Sequence, residues 1–134
     1  MRNNEEETMQ RRQFLTMSLV IYGFLGLGLL AAPASFMALF SASFDAMSNL
    51  TSRIFGVALL SSALIFWWVR GSALSDALLA ILRANCIYVL GVILLAVLAI
   101  SAGTMNAFGW VLIAVHAILA VGFGYYGFVA ADDG

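Results

Sequence analysis

Phe14 to Phe40 reads FLTMSLVIYGFLGLGLLAAPASFMALF, 27 consecutive residues without a charge. A helix needs about 20 apolar residues to cross the hydrocarbon core of a bilayer, so this run decides the fold class. It is a transmembrane helix with residues to spare. The excess must tilt, bend or overrun, and Pro33 is where a bend belongs, because its ring removes a backbone donor and clashes with the preceding turn. Residues past Pro33 are then expected in the outer interface.

Three more apolar runs follow at close intervals. The second, about 50–69, closes on Trp67, Trp68 and Arg70, an interfacial anchor pattern. Its uncharged part, Ile54 to Val69, is slightly short for a crossing, so its helix should reach back through Arg53. The third crossing is expected over about 84–102, with Arg83 at its boundary, stem in lipid and head in water. Gly103, Thr104 and Asn106 form a tight turn, and about 107–130 makes the fourth crossing. Residues 1–13 read as a polar cytoplasmic tail or a frayed helix start, and 132–134 as an acidic end. The expectation is an all-α membrane protein, with 14–131 forming one domain of four antiparallel helices in an up-down-up-down bundle.

Composition agrees. The chain is 63% hydrophobic and 10% charged, with a mean hydropathy of +1.02, whereas a soluble domain carries about a quarter charged residues. Net charge is −1 and every basic residue is arginine, which leaves no basic face for nucleic acid and no polybasic anchor for anionic lipid. The single cysteine, Cys86, excludes an internal disulfide, a dithiol redox pair and a cysteine zinc site.

Arginine placement gives the orientation. With the amino terminus inside, Arg2, Arg11, Arg12, Arg70 and Arg83 face the cytoplasm and Arg53 the far side, which predicts both termini cytoplasmic. The stretch Arg11-Arg12-Gln13-Phe14-Leu15 resembles a twin-arginine export signal, with Ala32-Pro33-Ala34 as a small-residue cleavage site. It departs from that pattern in carrying Thr16 where a lysine is expected and Pro33 in the middle of the site. The pair is read instead as the positive-inside anchor of a first membrane helix.

Polar residues at membrane depth are the functional candidates, because each is costly unless paired or wet. His116 lies near the middle of the fourth run and is the one histidine of the chain. As a heme or metal ligand it would need a second strong donor, and the chain offers methionines or Cys86. A neutral histidine bonded to a nearby hydroxyl or carbonyl is the simpler reading. Asn85 is expected to bond across helices. Arg53 has two sets of neighbours in reach, Asp45 or the group Ser101, Thr104 and Asn106, and is read as an interfacial anchor ahead of an anion or head-group site. Serines 61 and 62 can bond their own helix carbonyls. Gly23, Gly26 and Gly28, then Gly56 and Ala58, then Ala117, Ala120 and Gly124 thin the helices for close approach.

Missing constellations narrow the chemistry. Asp45, Asp76, Asp132 and Asp133 all fall outside the crossings, which disfavours carboxylate-driven antiport, and isolated serines with His116 make no hydrolytic set. No catalytic residue, metal ligand or cofactor is assigned, and the chain is not expected to be an enzyme.

The order Ala32-Pro33 with Phe36 and Phe40, Asp45, Arg53-x-x-Gly56, Trp68 with Arg70, Asn106-x-x-Gly109-Trp110 and Gly122-Phe123-Gly124-Tyr125-Tyr126 resembles a group of small bacterial four-helix integral membrane proteins, loosely DoxX-like in size and topology. The resemblance implies a topology and a bacterial inner membrane, with Pro33, Arg53, Gly56, Asn106 and Trp110 at matching positions, and implies no reaction. The expected role is an accessory or assembly subunit, or a self-associating bundle, whose partners are the lipid bilayer and other membrane subunits or itself. The alternative is a binding protein for a lipid, quinone or other apolar ligand, using Arg53 or His116, with Asn85 and Asn106 as further contacts.

Overall fold

The computed structural model describes residues 2–40 and 45–130, and the described residues are helical with short joints and no strand. The acidic end 132–134 and part of the polar stretch before the second run lie outside them. The helices are α1 (Arg2–Ala31), α2 (Pro33–Met37), α3 (Ala46–Val69), α4 (Asp76–Ser101) and α5 (Gly109–Gly124), and a π-helical turn, Tyr125–Val129, closes α5. Four of the helical segments are long and apolar enough to cross a membrane. The chain divides into two compact units, Met1–Ser72 and Ala73–Gly134.

In the first unit α1 pairs with α3. α1 begins at Arg2, so most of the segment expected as a tail is helix, with Glu5 in its first turn where the helix dipole favours an acid. Its 30 residues at about 1.5 Å each give about 45 Å, half as long again as the hydrocarbon core. Pro33 ends it as expected. Ala32 leaves the helical region at φ −138° and ψ 58°, as a residue before proline prefers. α2 then doubles back, and the Phe36 ring lies against Gly28 and edge-on to Phe24.

The contacts of α1 with α3 run in opposite chain directions: Arg11 with Ser72, Tyr22 with Phe66, Gly26 with Gly56, Leu30 with Arg53. The two helices are therefore antiparallel. Each meets the other along a stripe at steps of three or four residues. On α1 the buried positions are Arg11, Leu15, Ser18, Tyr22, Gly26 and Leu29; on α3 they are Ser52, Gly56, Leu59, Ala63 and Phe66. This is the seam of an antiparallel helix pair.

The seam is tightest at two glycines. A methyl carbon added at Gly56 would stand 2.8 Å from the Gly26 carbonyl oxygen, and one added at Gly26 would stand 2.9 Å from the Gly56 carbonyl oxygen. Backbone rests on backbone. In lipid, where apolar burial supplies little drive between helices, such dispersion contact is a principal source of association.

The second unit repeats the plan with other residues. Ser75 caps α4 by accepting a hydrogen bond from the Leu78 N–H at 3.3 Å, and the helix runs unbroken through Arg83. It starts at Asp76, earlier than the expected 84, because Arg83 finds an acceptor and does not interrupt the helix. α5 returns antiparallel, with Arg83 beside Gly127, Cys86 beside Ala120 and Gly124, and Ile100 beside Gly109. Its buried stripe runs Gly109, His116, Leu119, Phe123, Tyr126 and Ala130.

Two glycine substitutions separate seam from surface. Gly56→Val should lower the thermal midpoint in detergent by about 5 °C or more, since overpacking costs about 1–3 kcal/mol. Gly91→Ala, where the space beside the Cα is open, should leave the midpoint unchanged or raise it. Equal loss in both would contradict the seam.

Candidate functional site

Helix ends in a low-dielectric medium present backbone carbonyls without partners, and the polar side chains of this chain are best understood from where those carbonyls lie. Pro33 has no N–H, and the break at Ala32 interrupts the hydrogen-bond ladder at the end of α1. Arg53 answers the break. Its Nη1 donates to the Leu30 carbonyl at 2.8 Å, and its Nε donates to Asn49 Oδ1 at 2.9 Å. Arg53 sits one turn from Gly56, so the close crossing of the helices carries its guanidinium to the end of α1.

Asp45, one of the two sets of neighbours named for Arg53, is engaged elsewhere. It is the N-cap of α3 and accepts a 2.7 Å hydrogen bond from the Ser48 N–H. That bond holds its carboxyl below the usual carboxylate range. A depressed folded-state value means that the stabilisation is present above the ordinary carboxylate pKa and is lost as pH falls through the lowered value.

Asn106 performs a like service for the turn that leads into α5. Its Oδ1 accepts from the Phe108 N–H at 3.0 Å, and its carbonyl accepts from the Gly109 N–H at 3.0 Å. α4 closes on Gly103, whose φ of +70° is the left-handed conformation open to glycine. The Thr104 N–H reaches the Ala99 carbonyl and the Gly103 N–H the Ile100 carbonyl, the Schellman arrangement. The expected tight turn over 103–106 is therefore a helix-end device followed by a helix cap.

His116 is buried at 2% exposure, and its Nδ1 lies 2.8 Å from the Leu112 carbonyl one turn earlier. A carbonyl can only accept, so Nδ1 carries the proton in the neutral ring and the lone pair is on Nε2. Asn85 donates from Nδ2 to the Ile81 carbonyl of its own helix at 2.9 Å, in place of the expected bond across helices. The second lone pair of a carbonyl four residues back on the same helix costs less side-chain ordering than a partner on another. Ser61 and Ser62 bond the Val57 and Ala58 carbonyls, as expected. Ser18, which sequence reading passed over, is fully buried and does the same with Phe14.

Within the second unit Asn85, His116 and Asn106 occupy three different levels and do not converge; Arg53 belongs to the first unit. Among the described residues no three His, Cys, Asp or Glu side chains come together as a metal-ion set.

Two arginines matter more than the sequence suggested. Arg83, expected to place its head in water, donates from Nε to the Gly127 carbonyl at 2.8 Å, in the π-helical turn that ends α5. A methyl carbon at Gly127 would stand 3.4 Å from Arg83 Cγ, an ordinary contact distance, so the bond does not depend on a glycine there. Arg11, read as a topological anchor, is 5% exposed, and its Nη2 lies 3.4 Å from the Ser72 carbonyl just past α3. The signal for Arg11 was its register: it stands four residues before Leu15, in step with the α1 seam.

Comparison with protein-family models, curated proteins and solved structures found no match.

Two outcomes check these assignments. Arg53→Gln should destabilise the fold by about 1 kcal/mol, a charge-assisted bond discounted for exposure, and Asn106→Ala by about 1 kcal/mol as a lost cap, both read from unfolding in detergent. Stability measured from pH 6 down to pH 2 should fall further in the wild type than in Asp45→Asn; parallel curves would remove the cap assignment.

Proposed function

We propose that this chain is a non-enzymatic membrane subunit that assembles with other membrane proteins or with copies of itself. The observation that carries the reading is the commitment of its polar groups. Arg53, Arg83, Asn85, His116 and the buried Ser18 each spend a hydrogen bond on a backbone carbonyl at a helix end or one turn away. Such bonds make helices self-sufficient in lipid and direct no functional group at a substrate. Outside the seams the helices carry large exposed apolar side chains, among them Phe24, Ile54, Leu94, Leu95, Ile118 and Val121. Those faces are suited to lipid and to the helices of other subunits.

In this reading the two helix pairs join as an up-down-up-down bundle in a bacterial inner membrane, with both termini cytoplasmic. Arginine distribution and the resemblance to small four-helix bacterial membrane proteins support that placement. The alternative, a binding protein for a lipid, quinone or other apolar ligand, draws on the lone pair of His116 Nε2 and on Arg53, whose Nη2 is left over after its two hydrogen bonds.

Native mass spectrometry of the protein, released gently from its own membrane, tests the reading. A stoichiometric second subunit or a defined number of copies is the expected result. A monomer retaining a quinone or lipid that is lost on Arg53→Gln or His116→Ala would overturn it in favour of the ligand-binding alternative.

A further inference from the structure

The least settled charge in the protein is Arg11. At 5% exposure, its guanidinium has one polar contact among the described residues, the bond to the Ser72 carbonyl, whose 3.4 Å is at the long limit for a hydrogen bond. A guanidinium has five N–H donors and keeps its charge in proteins, so four donors and the charge itself are left to be met. Glu7 stands four residues earlier, at good helical spacing for an ion pair, yet forms none with Arg11. A charge so deeply buried and so sparsely bonded is costly.

A second guanidinium lies at the same end of the unit. Arg70 is the C-cap of α3, two residues from Ser72, and its Cζ sits 3.5 Å from the centroid of the Trp67 ring. That cation–π contact satisfies a face of the guanidinium and none of its in-plane donors. Between Arg70 and Ser72, the space beside Gly71 is open. Trp67 and Trp68 are both exposed here, at the end of an apolar helix where such rings favour the head-group layer.

Two cations with no ion pair among the described residues, beside an open glycine and flanked by interfacial tryptophans, define a site for an anion. Phosphate suits it, since the planar fork of arginine offers two parallel donors to two phosphate oxygens. We infer that the end of the first unit where α1 begins and α3 closes binds the phosphate of one anionic phospholipid, with Arg11 as the two-point contact and Arg70 as the second charge. This is a stoichiometric site, distinct in kind from the diffuse attraction of a polybasic segment, which the composition excludes. Arg12 is exposed, is the neighbour of Arg11 in the chain, and takes no part. The inference stands apart from the subunit reading, which concerns the exposed apolar faces.

Native mass spectrometry of the protein from nanodiscs containing equal phosphatidylglycerol and phosphatidylcholine provides the test, with thermal shift as a second readout. One retained phosphatidylglycerol is expected, with retention reduced about tenfold or more in Arg11→Gln and in Arg70→Gln, the scale of a lost charge-assisted contact, and unchanged in Arg12→Gln. Where Arg11→Gln fails to fold, Arg11→Lys keeps the charge, loses the two-point contact and should still weaken retention. Equal retention in all variants, or no preference for phosphatidylglycerol, would overturn the site. Inorganic phosphate alone giving the lipid's full stabilisation would make it a free-anion site and overturn the lipid assignment.

Discussion

A helix in a medium without water cannot leave its last carbonyls unpaired, and the arrangement of this protein follows from how it meets that demand. None of α1, α3 and α5 carries a basic residue in its own last turn. α3 has its own Arg70 at the C-cap, and at each of these ends a neighbouring helix supplies a cation: Arg53 to Leu30 at the end of α1, Arg11 to Ser72 past the end of α3, Arg83 to Gly127 in the turn that closes α5. α4 alone among the long helices closes on itself, through Gly103 and Thr104. A guanidinium in these places both supplies a donor and complements the negative end of the helix dipole.

This arrangement couples helix termination to helix pairing. Arg53 can reach Leu30 because Gly26 and Gly56 let the two backbones touch one turn away, and Arg83 reaches the Gly127 carbonyl where α4 lies in contact with the turn that closes α5. Small residues and arginines act together: the first set the distance at which the second can bond. The polar groups deeper in the helices are tied to carbonyls of their own turn, which keeps them from demanding partners elsewhere. The proposed assembly role fits such a molecule, which offers large exposed apolar faces to lipid or to neighbouring helices.

Much of the fold was legible because membrane crossing is a matter of length and charge. The uncharged run 14–40 announced a helix too long for one crossing, and Pro33 showed where it had to stop. The seams were harder to see, because helices that are apolar all round give no amphipathic stripe to read. Glycines marked the contact of α1 with α3, yet Gly23 and Gly91 look the same in sequence and face open space. Arg53 and His116 stood out as costly residues, but composition could not reveal that their acceptors are backbone carbonyls. Such acceptors leave no trace in side-chain identity. Arg11 was hidden by a plausible role as a topological anchor, although its register with Leu15, Ser18 and Tyr22 placed it on the buried stripe.

The claim that arginines of one helix close the end of its neighbour can be read directly by solid-state NMR in lipid bilayers, with 15N in the Arg53 guanidinium and 13C in the Leu30 carbonyl. Dipolar transfer between the two labels, matching the 2.8 Å hydrogen bond, is the predicted result. A Leu30 carbonyl with no arginine nitrogen in range, while α1 and α3 remain helical, would contradict the account.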